Sequence, residues 1–125
     1  MKNILWIGLA GMAGAIARVL LGQFVHSDSG FPMATLLINL VGTFVLCFIV
    51  TGACRKLGAN QQLQTAVTTG FLGSFTTFSA LSMETVLLVE SGQVIMAIAY
   101  IVFSIIGGLA AGAFGFYLGD KKVRT

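Results

Sequence analysis

The sequence is short of charge. Seven Lys and Arg and four Asp and Glu make up 9% of its 125 residues, where a soluble domain carries roughly 25% to keep its surface wet. So few ionic groups cannot build a water-facing shell. With 57% of the residues hydrophobic, lipid is the remaining way to cover the outside. Proline occurs once, whereas glycine occurs sixteen times, as suits membrane helices that approach closely. His26 is the single histidine, and the two cysteines, Cys47 and Cys54, stand about two helical turns apart (roughly 10 Å), beyond disulfide reach. Without a Cys-x-x-Cys pair or a His cluster, the sequence supports neither a metal centre built on such ligands nor a thiol enzyme. No Gly-Lys-Ser/Thr follows a glycine run, so no phosphate-cradling loop is present. The formal charge of +3 comes from residues that flank apolar runs instead of forming one patch, which argues against nucleic acid as a partner.

What is there is four apolar blocks, covering residues 4–25, 33–54, 66–89 and 94–118. Each reaches the roughly 20 residues needed to cross a hydrocarbon core about 30 Å thick. Backbone groups find no water in lipid, so the blocks are expected to be helices. The connections, His26 to Gly30, Arg55 to Gln64 and Glu90 to Gln93, are short and polar. The expectation is an all-α membrane protein: a single domain over residues 1–125 of four transmembrane helices. Met1-Lys2 before an apolar run resembles a secretory leader, but the run continues to Val25 and further spans follow. It reads as a retained first helix. With four spans, both termini and the middle loop share one side. That side holds Lys2, Arg55, Lys56, Lys121, Lys122 and Arg124, while the loops around Asp28 and Glu90 hold no Lys or Arg. The bias predicts cytoplasmic termini.

Several polar residues lie inside the spans. Arg18 falls deep in the first, where a charge costs about 2.5–3.5 kcal/mol on insertion scales. It either caps carbonyls and snorkels, or supplies positive potential to an anion. Asn39, in the second span, offers two amide donors that must find partners, whether as glue between helices or at a site. The third span is the most unusual, with Gly70, Gly73, a run of hydroxyls from Thr68 to Ser82, and Glu84. Two readings stand for it. One is a helix broken near its centre, whose freed carbonyls suit a cation and whose hydroxyls and helix N-termini suit an anion. The other is an unbroken helix with each hydroxyl bonded to its own turn. Phe71, Phe75 and Phe78 follow helical spacing, which usually means core packing, although an aromatic ring edge can also face an anion. In the fourth span Tyr100 and Ser104, one turn apart, put two hydroxyls on one face.

In chain order these pieces are Gly11-x-x-Gly14-x-x-x-Arg18, then Thr35-x-x-x-Asn39-x-x-Gly42. Next come Thr69-Gly70-Phe71-x-Gly73-x-x-Thr76-Thr77-Phe78-Ser79, Ser82-x-Glu84, and Tyr100-x-x-x-Ser104. Together, over nearly the whole chain, they resemble the Fluc (CrcB) family of bacterial fluoride channels. The resemblance implies a passive fluoride channel, not an enzyme, that exports fluoride across the cytoplasmic membrane and relieves its toxicity. It also implies an antiparallel, dual-topology dimer with two narrow pathways. By the same resemblance, Asn39 is the pore amide and Phe78 a pore phenylalanine. Ser79 belongs to the polar track beside it. Thr35, Tyr100 and Ser104 line or support the pore. Arg18 and Glu84 are vestibule charges, and the carbonyls of Gly73 and Thr76 hold a central structural sodium ion, Na+.

The chain departs from that pattern at Ala80 and Leu81. The family reads Phe-Ser-Thr-Phe-Ser where this sequence has Phe78-Ser79-Ala80-Leu81-Ser82. Alanine has no hydroxyl and leucine no positive ring edge, so a pathway that uses these positions is expected to be impaired. The charge bias points the same way: a dual-topology homodimer needs its Lys and Arg balanced between sides. The expected partner is therefore an oppositely oriented homologue more than a second copy. Two other functions remain open at this stage. A small proton-coupled multidrug-type exporter needs an acid in the first span, where this chain has Arg18. A non-conducting structural subunit is favoured by Ala80 and Leu81.

Overall fold

Hydrocarbon offers the backbone no hydrogen-bond partner, so each apolar run closes its bonds within a helix. A computed structural model describes residues 2–25, 30–53, 56 and 58–124. Helix α1 (Lys2–Phe24) is followed by α2 (Met33–Phe48), which continues through a π-helical stretch, Ile49–Ala53. Then come α3 (Gln61–Thr65), a second π-helical stretch (Ala66–Leu72), the short α4 (Gly73–Phe75), α5 (Phe78–Glu90) and α6 (Val94–Arg124). Four helical runs, Asn3–Phe24, Met33–Gly52, Gln61–Glu90 and Val94–Arg124, are long and apolar enough to cross a membrane. Their mean hydropathies are 2.0, 2.4, 1.4 and 2.4, so the third is the most polar.

The ends of these runs follow local chemistry. Asn60 caps α3, its side-chain oxygen accepting the Leu63 N–H at 2.8 Å. The third run therefore begins at Gln61, inside the segment expected to be a loop. The fourth run continues past the expected end near Leu118 to Arg124. Its last turn holds Lys121, Lys122 and Arg124, which the negative end of the helix dipole favours. The second run closes at Gly52, whose φ of 91° suits a residue without a side chain. The expected loop around His26 and Asp28, the expected span end at Cys54, and Arg55 lie outside the described residues.

Two helix pairs organise the bundle. The most extensive packing is α6 on α2, and next comes α1 on the Ala66–Leu72 stretch. Both depend on close approach of backbones. A Cβ at Gly14 would collide with the Phe71 carbonyl, and one at Gly115 with the Phe44 carbonyl. The buried core is small and divided. One cluster joins Leu36, Leu88, Ala97 and Tyr100, and the other joins Ile38, Ile49, Leu72 and Phe75. The outer surface is apolar, with Ile95 85% and Phe24 82% exposed. Water would not tolerate so continuous an apolar exterior on a monomer, but lipid does.

Candidate functional site

The third run is interrupted between α4 and α5. Thr76 (φ −80°, ψ 150°) and Thr77 (φ −148°, ψ 128°) are extended, and helical geometry resumes at Phe78. In an unbroken helix the Thr77 N–H would bond the Gly73 carbonyl. Here it donates instead to Asn39 Oδ1 at 2.8 Å, while Asn39 Nδ2 donates to the Thr77 carbonyl at 2.9 Å. A side-chain amide thus takes the place of one peptide unit. Thr77 also caps α5, its hydroxyl accepting the Ala80 N–H at 3.3 Å and lying 3.0 Å from the Ser79 hydroxyl. Thr77 stands in the motif read from sequence but had no role assigned to it there. Its signal there was a hydroxyl immediately before an apolar helical run, the pattern of an N-cap.

The interruption opens a groove of about 390 Å³ lined by Asn39, Gly73, Thr76, Thr77, Phe78, Leu81 and Ser104, among others. The second hydrogen of the Asn39 amide has no partner among the described residues. Phe78 is 79% exposed. The break separates it from Phe71 and Phe75, whose rings stack at 5.6 Å, so the three do not share one helical face. The Gly73 carbonyl, relieved of the Thr77 N–H, is on an exposed residue at the groove. Together with the neighbouring Thr76 carbonyl it offers the hard oxygen chemistry that alkali and alkaline-earth cations prefer. Among the described residues no His, Cys, Asp and Glu group could hold a metal, so any cation here would rest on carbonyls.

The remaining predicted residues gather on the other side of Thr77. Glu84 accepts the Thr35 hydroxyl at 2.7 Å on one oxygen and the Tyr100 hydroxyl at 2.6 Å on the other. Tyr100 is fully buried, with Phe31 edge-on to its ring at 5.5 Å. Bonds of this charge-assisted kind are what make a carboxylate tolerable inside a span. Ser104, one turn along, donates to the Tyr100 carbonyl at 2.7 Å, so its hydroxyl serves its own helix. Arg18, Thr35, Thr77, Ala80 and Glu84 line a second cavity of about 210 Å³. The Nε of Arg18 is buried there with no hydrogen-bond partner, and its guanidinium forms no ion pair among the described residues. The hydroxyls of Thr76 and Ser82 bond back to Leu72 and Phe78. Hydroxyls bonded to their own turn and an extended pair, Thr76 and Thr77, thus occur in the same run.

Comparisons with known proteins place these features in context. Residues 5–116 match the family described as CrcB-like protein, Camphor Resistance (CrcB). A protein of Bacillus cereus named fluoride-specific ion channel FluC 1 is 41% identical over 99% of this chain and 93% of its own length. One of the same name from Desulfitobacterium hafniense is 45% identical over 90% of this chain and 98% of its own. Fluoride-specific ion channel FluC 2 of Listeria innocua is 39% identical over 96% and 92%. A family match across nearly all of the sequence, joined by relatives of matching length, fixes its membership: the chain belongs to the CrcB-like protein family.

Proposed function

We propose that the chain is a subunit of a passive fluoride-selective channel in the cytoplasmic membrane, and not an enzyme. The observation that carries this reading is Asn39. Its amide is braced on both sides by the Thr77 backbone, which leaves one N–H with no protein partner at a groove that also holds Phe78. Fluoride is small and tightly hydrated, so a pathway must replace its water with fixed donors while binding weakly enough to release it. A rigid amide hydrogen and the positive edge of the Phe78 ring meet that need, with the Ser79 hydroxyl beside them. Ser104 lines the same groove, and Leu81 fills the position where the family carries a second phenylalanine. Thr35, Tyr100 and Glu84 act as a hydrogen-bonded support, and Arg18 supplies positive potential. The named function of the relatives supports the same assignment.

An antiparallel dimer is the assembly that suits an exposed Phe78 and an exposed Gly73 beside the groove. At its centre Na+, held by the carbonyls of Gly73 and Thr76, would offset repulsion between anions. The six cations on one side favour an oppositely oriented homologue as the mate, both termini being cytoplasmic. An exporter of cationic drugs is disfavoured because the first span carries Arg18 and no acid. The test is efflux from proteoliposomes followed with a fluoride electrode, against chloride, for the chain alone and with a co-expressed homologue. Fluoride efflux without chloride efflux is expected only with the homologue. Equal flux of both anions overturns the fluoride assignment, and robust fluoride flux from the lone chain overturns the obligate heterodimer.

A further inference from the structure

We infer that the C-terminal end of α6, joined to Lys56 of the middle loop, is a seat for the phosphate headgroup of an anionic phospholipid. Lys56 Nζ donates to the Val123 carbonyl at 3.0 Å. This bond ties the loop to the last turn of the helix, the turn that carries Lys121, Lys122 and Arg124. Asp120 pairs with Arg124, Nε to Oδ2 at 2.9 Å, while Lys56 and Lys122 have no acidic partner among the described residues. In the two turns that lead up to this end, Phe114, Tyr117 and Lys121 are spaced three and four residues apart and share one face of α6. Phe114 is 56% and Tyr117 64% exposed. That face therefore runs from ring to ammonium over about 10 Å, with apolar area for an acyl chain and cationic groups at headgroup depth.

Charge complementarity selects the occupant. Anionic headgroups attract juxtamembrane Lys and Arg, and the attraction falls with salt. An aromatic residue with a polar tip, such as Tyr117, is the type found at the headgroup level. None of these residues lines the groove or the cavity around Thr77, so the seat is separate from the proposed ion pathway.

The test is native mass spectrometry of the purified chain with phosphatidylglycerol and phosphatidylcholine of identical acyl chains. Wild type should retain phosphatidylglycerol preferentially, and Lys56→Gln and Lys122→Gln should each lower that preference about fivefold. Tyr117→Ala should weaken retention of both lipids. An unchanged preference in the Lys56→Gln/Lys122→Gln double variant overturns the inference. So does a wild-type preference that persists in 0.5 M salt, a measurement that needs no variant to fold. Displacement of the bound lipid by equimolar inorganic phosphate would also overturn it, by making the site a free-phosphate site. Fluoride flux of the double variant in phosphatidylcholine liposomes, measured with the co-expressed homologue, should match that of wild type with the same homologue, which separates a failure here from a failure of the channel assignment.

Discussion

Asn39→Ala is the perturbation with the most worked consequence. The substitution deletes both bonds to Thr77, at 2.8 and 2.9 Å. Interhelical hydrogen bonds in membrane proteins average only about 0.6 kcal/mol each, because the unfolded chain in the membrane also finds partners. Two such bonds set a floor near 1.2 kcal/mol. Thr77 is a special case, however, because its backbone is extended and its N–H has already left the helical ladder. Leaving a buried N–H and C=O unpaired costs about 1–3 kcal/mol each. The two groups together come to about 2–6 kcal/mol, and relaxation of the segment towards helix keeps the expected loss at the lower end, about 2–3 kcal/mol. The same change removes a donor to the anion. A hydrogen bond to a charged group contributes about 1.5–3 kcal/mol, so fluoride flux should fall roughly 10- to 150-fold.

Two measurements separate these effects. Thermal unfolding in detergent reads the brace, and fluoride-electrode efflux with the co-expressed homologue, normalised to incorporated protein, reads the donor. Asn39→Asp refines the distinction, because the carboxylate still accepts the Thr77 N–H but offers no donor to fluoride and repels it. It should lose less stability than Asn39→Ala and at least as much flux. Fluoride efflux by Asn39→Ala within twofold of wild type would refute the assignment of the amide to the pathway. Unchanged unfolding of the same variant would refute its role as the brace.

Further outcomes follow from the same geometry. Tyr100→Phe removes the 2.6 Å donor to Glu84 and should lower stability by about 1.5–3 kcal/mol. In a double-mutant cycle Tyr100→Phe and Thr35→Val should be non-additive, since both hydroxyls act on one carboxylate. Gly14→Ala drives a methyl into the Phe71 carbonyl and should abolish a monodisperse peak on size exclusion. Gly8→Ala meets nothing within 4 Å and should be neutral or raise stability by up to about 1 kcal/mol. Leu81→Phe with Ala80→Thr should raise fluoride flux in the presence of the partner, at about 1–3 kcal/mol of overpacking because Leu81 is pressed against the Leu36–Tyr100 cluster. Unaltered flux in that variant would favour the non-conducting subunit.

The four helical runs were legible because hydropathy and span length are tied to bilayer thickness. Their ends were less so. Gln61 and Arg124 lie outside the apolar blocks, and a cap at Asn60 and a dipole-favoured last turn extend the helices regardless of hydropathy. Asn39, Gly73, Thr76, Phe78, Leu81 and Ser104 could be named from the chain and do converge on one groove. The pairing of Asn39 with the Thr77 backbone could not be read, because it spans 38 residues and depends on dihedrals no local pattern encodes. Tyr100 and Ser104 were grouped on one helical face, yet their hydroxyls go to different partners, Glu84 and the Tyr100 carbonyl. Side-chain direction, not spacing, decides that.

The pattern of satisfied and unsatisfied groups bears on which ion the protein carries. Within the spans, the one carboxylate near the break is occupied on both oxygens by Thr35 and Tyr100. The side-chain groups left over around Thr77 are donors: Arg18 Nε in the smaller cavity and the second Asn39 hydrogen at the larger groove. A protein that carries organic cations would need the reverse, a carboxylate kept open to the pathway and its donors tied away. Thr77 lines both cavities, so the residue that breaks the helix also divides these two donors. In that arrangement the unpaired side-chain groups on either side of the break, among the described residues, are of positive polarity, which argues for an anion and against the exporter reading.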